Sequence, residues 1–113
     1  MFKIDVSDTY NYPVTVAMLD EKGKVKKSSF TAIFKRLPQD DIDRLFAGIA
    51  DESASDEQWV DEILAGWEGI KDADGKEVPF TEANKRKVCG IHPVRPSIIK
   101  AWGESLQEVA RKN

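Results

Sequence analysis

The chain holds one cysteine and one histidine, the side chains best suited to nucleophilic or metal chemistry. A nucleophilic Cys89 would need a base to activate it, and His92, three residues further on, is the only histidine that could serve. Two such ligands do not make a zinc site, which takes four. Cys89 also follows Val88 at an apolar helix position. We therefore expect a buried structural thiol at Cys89 and a turn residue at His92.

A second candidate is the acidic turn that contains Asp72, Asp74, Gly75 and Glu77, which resembles part of a calcium loop. An EF-hand loop places a third oxygen ligand before its glycine and a glutamate at the twelfth position. Here the glycine comes too early and that glutamate is missing, so the pattern indicates a solvated turn.

The remaining signatures of enzyme chemistry are absent from the sequence. It contains no glycine-rich phosphate loop, nucleophile elbow or zinc-protease motif. The paired carboxylates Asp40/Asp41 and Asp61/Glu62 lie on polar helix faces, where carboxylates cap helices and keep a protein in solution. We expect no catalytic residue, no cofactor, no metal and no enzymatic activity.

The composition favours one globular domain over residues 1–113, with 41% hydrophobic and 33% charged residues. The net charge of −3 argues against a nucleic-acid partner, because phosphates are neutralised by basic domains. The local run Lys85-Arg86-Lys87 falls in a predicted helix, which spreads its charges around the axis.

The sequence shows no sign of export or of a membrane. Residues Met1 to Asp8 lack the basic start and apolar core of a signal peptide. No apolar run approaches the ~20 residues that span a bilayer. A lone cysteine requires no oxidising compartment. We expect a cytoplasmic location and no membrane partner.

Strands are predicted over residues 1–36, starting with the alternation of Phe2, Ile4 and Val6. Tyr10-Asn11-Tyr12-Pro13 is expected to interrupt the pattern because proline lacks an amide hydrogen. Val14, Val16 and Met18 alternate again, and Asp20-Glu21-Lys22-Gly23 predicts a turn. The return strand runs from about Val25 to Lys35, with Phe30, Ala32 and Phe34 on one face.

Helices are predicted over residues 38–112, which makes the fold class α+β: an N-terminal β-hairpin or three-stranded meander followed by about four helices. Pro38 begins the first helix, which ends near Ala50 and carries Ile42, Leu45, Phe46 and Ile49 on one side. Ser55 and Gln58 form a capping box for the second, with Trp59, Val60, Ile63, Leu64 and Trp67 on one face. Thr81 starts a short third helix that Gly90 ends. Pro93 and Pro96 bracket a turn, and Ser97 opens the last helix, with Ile98, Ile99, Trp102, Leu106 and Val109 inward.

The three tryptophans, Trp59, Trp67 and Trp102, allow two interpretations. All lie on apolar helix stripes, which is typical of core packing. Tryptophan is also enriched at binding hot spots, so one of them could be partly exposed for a partner.

Several segments together resemble a family of tail assembly chaperones from long-tailed phages and prophages. The segment Asp61–Gly75 carries a "GW-x-G" and an acidic, glycine-bearing turn, and it leads into the "V-P-F-T-x-x-N" helix start at Val78–Asn84. The closing segment Pro96–Trp102, with Ser105 and Leu106, is similar to the last helix of the family. Phe30–Leu37 resembles its return strand.

The resemblance implies a non-enzymatic protein of the host cytoplasm that is needed to build the tail and is absent from the mature virion. Members bind the tape measure protein, keep it in solution and help the major tail protein polymerise around it. Many are also made in a longer form by a translational frameshift near the end of the short one. Lys112-Asn113 can be encoded by a run of adenines, which is a slippery context, and only the gene sequence shows whether it is. A homo-oligomer is a further alternative.

The contact with such a partner is expected to offer apolar helix faces and an acidic rim. The last helix and the Trp67–Phe80 connection are the candidate surfaces, with Trp67, Phe80, Ile98, Trp102 and Leu106 as candidate partner-binding residues. The alternatives are a structural tail component of the virion and a small ligand-binding domain. A polar cleft around Cys89 and His92 would favour the latter.

Overall fold

The computed structural model describes residues 6–50 and 55–112, and shows side chains for 6–48 and 55–109. Within these ranges it contains three strands and four helices, which confirms the α+β class. In chain order they are β1 (Thr9–Leu19), β2 (Val25–Lys35), α1 (Gln39–Ala50), α2 (Asp56–Ile63), β3 (Leu64–Glu68), α3 (Glu82–Cys89) and α4 (Val94–Lys112).

The predicted hairpin is present, with β1 and β2 paired antiparallel along their whole length. Its turn is closed by the Asp20 carboxylate, which accepts the amides of Lys22 and Lys24 at 2.8 and 2.9 Å. Gly23 adopts the positive φ of 79° that the reversal requires.

The expected interruption at Tyr10-Asn11-Tyr12-Pro13 is wrong, because β1 continues through it with Pro13 opposite Thr31. Among the described strands β1 is at the edge of the sheet, with β2 as its neighbour. An edge strand accommodates a residue without an amide hydrogen, which can face the open side.

The third strand of the sheet comes from an unexpected part of the chain. The sequence predicts one helix through Trp67, but the helix ends at Ile63 and Leu64–Glu68 pairs antiparallel with β2. Pairing there satisfies backbone groups that the second edge of β2 would otherwise expose, and this tertiary gain overrides helical periodicity. Of the predicted N-terminal strand, Phe2 and Ile4 lie outside the described residues, and Val6 is exposed and precedes β1.

The helix starts follow local signals in three cases and depart from them in one. α1 starts just after Pro38, the capping box of Ser55 and Gln58 is formed, and Thr81 caps α3, which Gly90 ends. α4 begins at Val94 instead of Ser97. Pro96 falls in its first turn, where amide hydrogens have no acceptor within the helix, so the proline removes no hydrogen bond.

The core lies between the inner face of the sheet and helices α2 and α4. All three tryptophans are buried in it, so core packing is the correct interpretation for each. Val109 was predicted to face inward but is 64% exposed, and Phe46 of the α1 stripe is 47% exposed. The buried apolar residues are Val14, Val16, Ala32, Phe34, Leu45, Trp59, Val60, Ile63, Leu64, Trp67, Cys89, Val94, Ile98, Ala101 and Trp102.

Candidate partner-binding groove

A cluster of three aromatic rings joins helices α1, α2 and α4. Trp102 of α4 contacts Trp59 of α2 edge-to-face, with ring centroids 5.3 Å apart, and stacks on Phe46 of α1 at 5.7 Å. Trp102 and Trp59 are buried, whereas nearly half of Phe46 is open to solvent. The cluster therefore belongs to the core on one side and reaches the surface on the other.

Beside this cluster an open groove of about 760 Å³ runs between α1 and α4, and we call it the α1/α4 groove. Ile42 and Phe46 supply apolar surface from α1, and Leu106 and Val109 supply it from α4. Both helices carry more apolar residues than their packing covers, since Phe46 and Val109 remain exposed. The full lining comprises Tyr10, Lys35, Arg36, Leu37, Gln39, Ile42, Phe46, Trp102, Gly103, Ser105, Leu106, Gln107 and Val109.

Hydrogen bonds between β1 and α4 hold one side of the groove in place. The Tyr10 hydroxyl and the buried Ser105 hydroxyl lie 2.8 Å apart. Ser105 also donates to the Trp102 carbonyl at 2.6 Å. One turn further along α4, the Tyr12 hydroxyl donates to Glu108 at 3.0 Å. These bonds seat α4 on the sheet without using the apolar side chains that line the groove.

The charged residues that line the groove are Lys35 and Arg36. The Nε of Arg36 donates to the Ser7 carbonyl at 2.8 Å, and its guanidinium carbon lies 5.3 Å from the centre of the Tyr10 ring. Lys35 donates to the Asp61 carbonyl at 3.2 Å. The residues that line the groove thus include two cations and no carboxylate, and the expected acidic rim stays a prediction.

The five predicted partner-binding residues fall in three places. Trp102 and Leu106 line the groove, and Ile98 is fully buried in the core on the same helix. Trp67 is also buried, donates to the Val78 carbonyl at 2.7 Å and packs edge-to-face on Phe80 at 4.8 Å. In this conformation Trp67, Ile98 and Trp102 have little surface left for a partner, whereas Phe80 and Leu106 are half-buried.

No family model, curated protein or solved structure matches this chain. No helix in the described part of the chain has the length and apolar character to cross a membrane.

A smaller cavity of about 210 Å³ lies beside Cys89. Charged side chains from three helices line it, and Lys85 of α3 forms an ion pair with Asp61 of α2 at 2.6 Å. Burial raises the pKa of the Cys89 thiol, although the positive charges of Lys85 and Arg95 oppose the shift. A thiol held protonated is a poor nucleophile.

The other sequence candidates for chemistry are placed apart from this cavity. His92 is exposed in the turn before α4 and does not line the cavity. The Asp72 carboxylate accepts the amides of Asp74 and Lys76 at 2.9 and 3.0 Å, which closes the predicted acidic turn. Across residues 6–50 and 55–112, no three His, Cys, Asp or Glu side chains are grouped to hold a metal ion.

Of the residues that line the groove, the sequence selects only Trp102 and Leu106 as partner-binding, and Tyr10 and Arg36 are among those it misses. Tyr10 falls in the expected break of the strand, and Arg36 lies in the segment Phe30–Leu37, where nothing marks it as partner-binding. Their role depends on β1 lying beside α4, a contact between residues about 95 positions apart that no local pattern indicates.

Proposed function

We propose that this chain is a non-enzymatic tail assembly chaperone of a long-tailed phage or prophage, which binds the tape measure protein and assists assembly of the tail tube. The observation that carries the proposal is the α1/α4 groove, an open apolar channel between two helices. The segments that resemble the chaperone family, including the "GW-x-G" at Gly66–Gly69, point to the same function.

The groove suits a partner that is itself helical. A tape measure is long, helical and apolar along one side, so its free chains would aggregate through exposed apolar surface. An amphipathic helix binds by laying its apolar face into a groove of this kind. Phe46 and Val109 lie at the groove with much of their apolar surface exposed to solvent. Binding of the partner would bury this surface, which is favourable.

The same proposal places the protein in the host cytoplasm and outside the mature particle. Its net charge of −3 would help keep a coated tape measure in solution. The major tail protein would be its second partner, and a frameshift-extended form of the chain would share the groove.

The test is co-expression with the tape measure protein encoded beside this gene, followed by affinity purification. Val109→Asp places a charge in the groove, and Val25→Asp is its matched control at the hairpin turn, since the two valines are 64% and 62% exposed. We expect the wild type and Val25→Asp to retain the tape measure and Val109→Asp to lose most of it. Failure of the wild type to retain it, in both short and extended forms, would refute the proposal.

A structural component of the virion is the second candidate, and the shape of the hairpin favours it. β3 pairs with β2 only over Thr31–Phe34, so the hairpin continues beyond the third strand as a two-stranded ribbon with Met18, Leu19 and Val25 exposed near its end. Open strand edges can pair with a neighbouring subunit. Mass spectrometry of purified particles separates the two functions, because a chaperone is expected to be absent and a tail subunit abundant.

A further inference from the structure

We infer that the α1/α4 groove selects an amphipathic helix whose apolar face is flanked by a carboxylate, and that Arg36 is the residue that binds this carboxylate. The inference deepens the proposed function and rests on it for the identity of the natural partner. Its chemistry can be tested with peptides alone.

Arg36 is held in position before any partner arrives. Its Nε and Nη2 donate to the carbonyl and hydroxyl oxygens of Ser7, at 2.8 and 3.4 Å, and its guanidinium lies over the Tyr10 ring. A guanidinium has five N–H donors, so these contacts leave donors for a carboxylate. A side chain that is already ordered loses less conformational entropy on binding than a free one.

Two arginines elsewhere in the chain form ion pairs with carboxylates of the same chain. Arg44 pairs with Glu62 at 3.0 Å, and Arg95 lies 4.0 Å from Glu57. No carboxylate lies within ion-pairing distance of Arg36 among the residues that the structure describes. Lys35 and Arg36 therefore both lack a carboxylate partner among the described residues, and Arg36 is the one whose guanidinium is fixed over the Tyr10 ring of the groove.

The dimensions and lining of the groove favour a helix as the carrier of that carboxylate. The wall that α1 contributes runs from Gln39 to Phe46, roughly 10 Å or about two helical turns. A partner helix of that length presents apolar anchors at positions i, i+3 or i+4, and i+7. Ile42, Phe46, Leu106 and Val109 would receive these anchors, while a flanking Asp or Glu meets Arg36.

A second copy of this chain fits the groove less well. In a two-fold dimer formed groove against groove, each copy presents the same surface to the other. Lys35 and Arg36 of both copies would then be buried in one interface whose groove linings supply no carboxylate to pair with them, and unpaired like charges oppose association. The charge of the groove thus favours a different, acidic partner.

The test uses two fluorescein-labelled helical peptides of 18 residues that share one leucine face. One carries glutamates beside that face and the other carries lysines. We expect the wild-type protein to bind the glutamate peptide roughly tenfold more tightly by fluorescence anisotropy. The difference should shrink as salt rises from about 50 to 500 mM, because ions screen exposed charges. Equal affinity for the two peptides at low salt would overturn the inference.

The variant Arg36→Gln tests whether Arg36 is responsible for the preference for the glutamate peptide. It should weaken binding of the glutamate peptide roughly three- to tenfold and leave the lysine peptide unaffected or bound more tightly. The matched control Arg86→Gln changes an exposed arginine that lines the cavity beside Cys89, and it should bind both peptides as the wild type does. An effect of Arg86→Gln equal to that of Arg36→Gln would contradict the assignment.

Folding and self-association are checked on the same samples. Circular dichroism establishes that Arg36→Gln is folded, and if it is not, Arg36→Lys keeps the charge and should retain most of the preference for glutamate. Sedimentation velocity that showed a wild-type dimer dissociated by Val109→Asp would assign the groove to a second copy and overturn the inference. Peptide selectivity without tape measure binding would refute only the proposed partner, whereas tape measure binding without selectivity would refute only the inference.

Discussion

The cavity beside Cys89 and the α1/α4 groove both border helix α4, yet their charges are arranged differently. In the cavity, Lys85 has Asp61 at 2.6 Å and Arg95 has Glu57 at 4.0 Å, so two of its three cations pair with carboxylates of the described residues. In the groove, Arg36 faces no carboxylate of the described residues, and apolar side chains remain exposed. The cavity lining thus balances three cations with three carboxylates, whereas the groove lining presents cations without carboxylates, together with apolar surface that a partner would cover.

The largest difference in stability is expected between the buried floor of the groove, formed by Trp102, and its exposed rim, formed by Val109. Trp102→Ala should lower the free energy of unfolding by about 3–5 kcal/mol, because it removes a buried ring that contacts both Trp59 and Phe46. Val109→Ala should change it by less than about 0.5 kcal/mol, since Val109 is mostly exposed. Urea denaturation followed by circular dichroism measures both.

Equal losses for these two variants would show that Val109 is part of the core and that the groove has no free rim. If Trp102→Ala proves too unstable to measure, Trp102→Phe keeps an aromatic ring. It should still lose more stability than Val109→Ala.

A smaller effect is expected at the ion pair beside Cys89. Lys85→Met should lower the free energy of unfolding by about 1 kcal/mol, because the Lys85 side chain is only 12% exposed while the Asp61 carboxylate, at 53%, stays hydrated after its partner is lost. Arg44→Met is the control at an exposed pair and should cause no measurable change. If Lys85→Met were as stable as the wild type, the pair would be no more than a surface contact.

The smallest effect is expected from the Cys89 thiol. Burial raises its pKa above the ordinary value of 9.0, so the folded state keeps the proton at a pH where the unfolded state releases it. The stability of the wild type should therefore decline as pH rises through about 9, relative to the stability of Cys89→Ala. Thermal unfolding of the two proteins between pH 7 and 10 measures the difference, and parallel pH profiles would contradict the shift.

The sequence alone determined the features that depend on neighbouring residues. The hairpin turn at Asp20–Gly23, the capping box of Ser55 and Gln58, and the Thr81 cap all appear where their patterns predict them. Each depends on hydrogen bonds between residues at most four positions apart, so no distant segment can move it. The placement of Cys89 in the core also follows from local helical periodicity.

Tertiary structure decided where helical and strand patterns compete. Leu64 and Trp67 are three residues apart, a spacing that fits one face of a helix but not one face of a regular strand. An irregularity in the pairing with β2 places Leu64 opposite Phe34 and Trp67 opposite Ala32, so both can face the core from the strand that the open edge of β2 selects. Pro13 is accommodated because β1 turns out to be an edge strand. Periodicity could not show which strand would be left without a second neighbour.

The candidate site was predictable only in part, for the same physical reason. The sequence selected Trp102 and Leu106 by their apolar character, but it could not separate a buried floor from an exposed rim, as the outcome at Val109 shows. Arg36 lies at the groove because Ser7 and Tyr10 hold it there and β1 is seated on α4. A site assembled from contacts between residues far apart in the chain is defined only when the chain has folded.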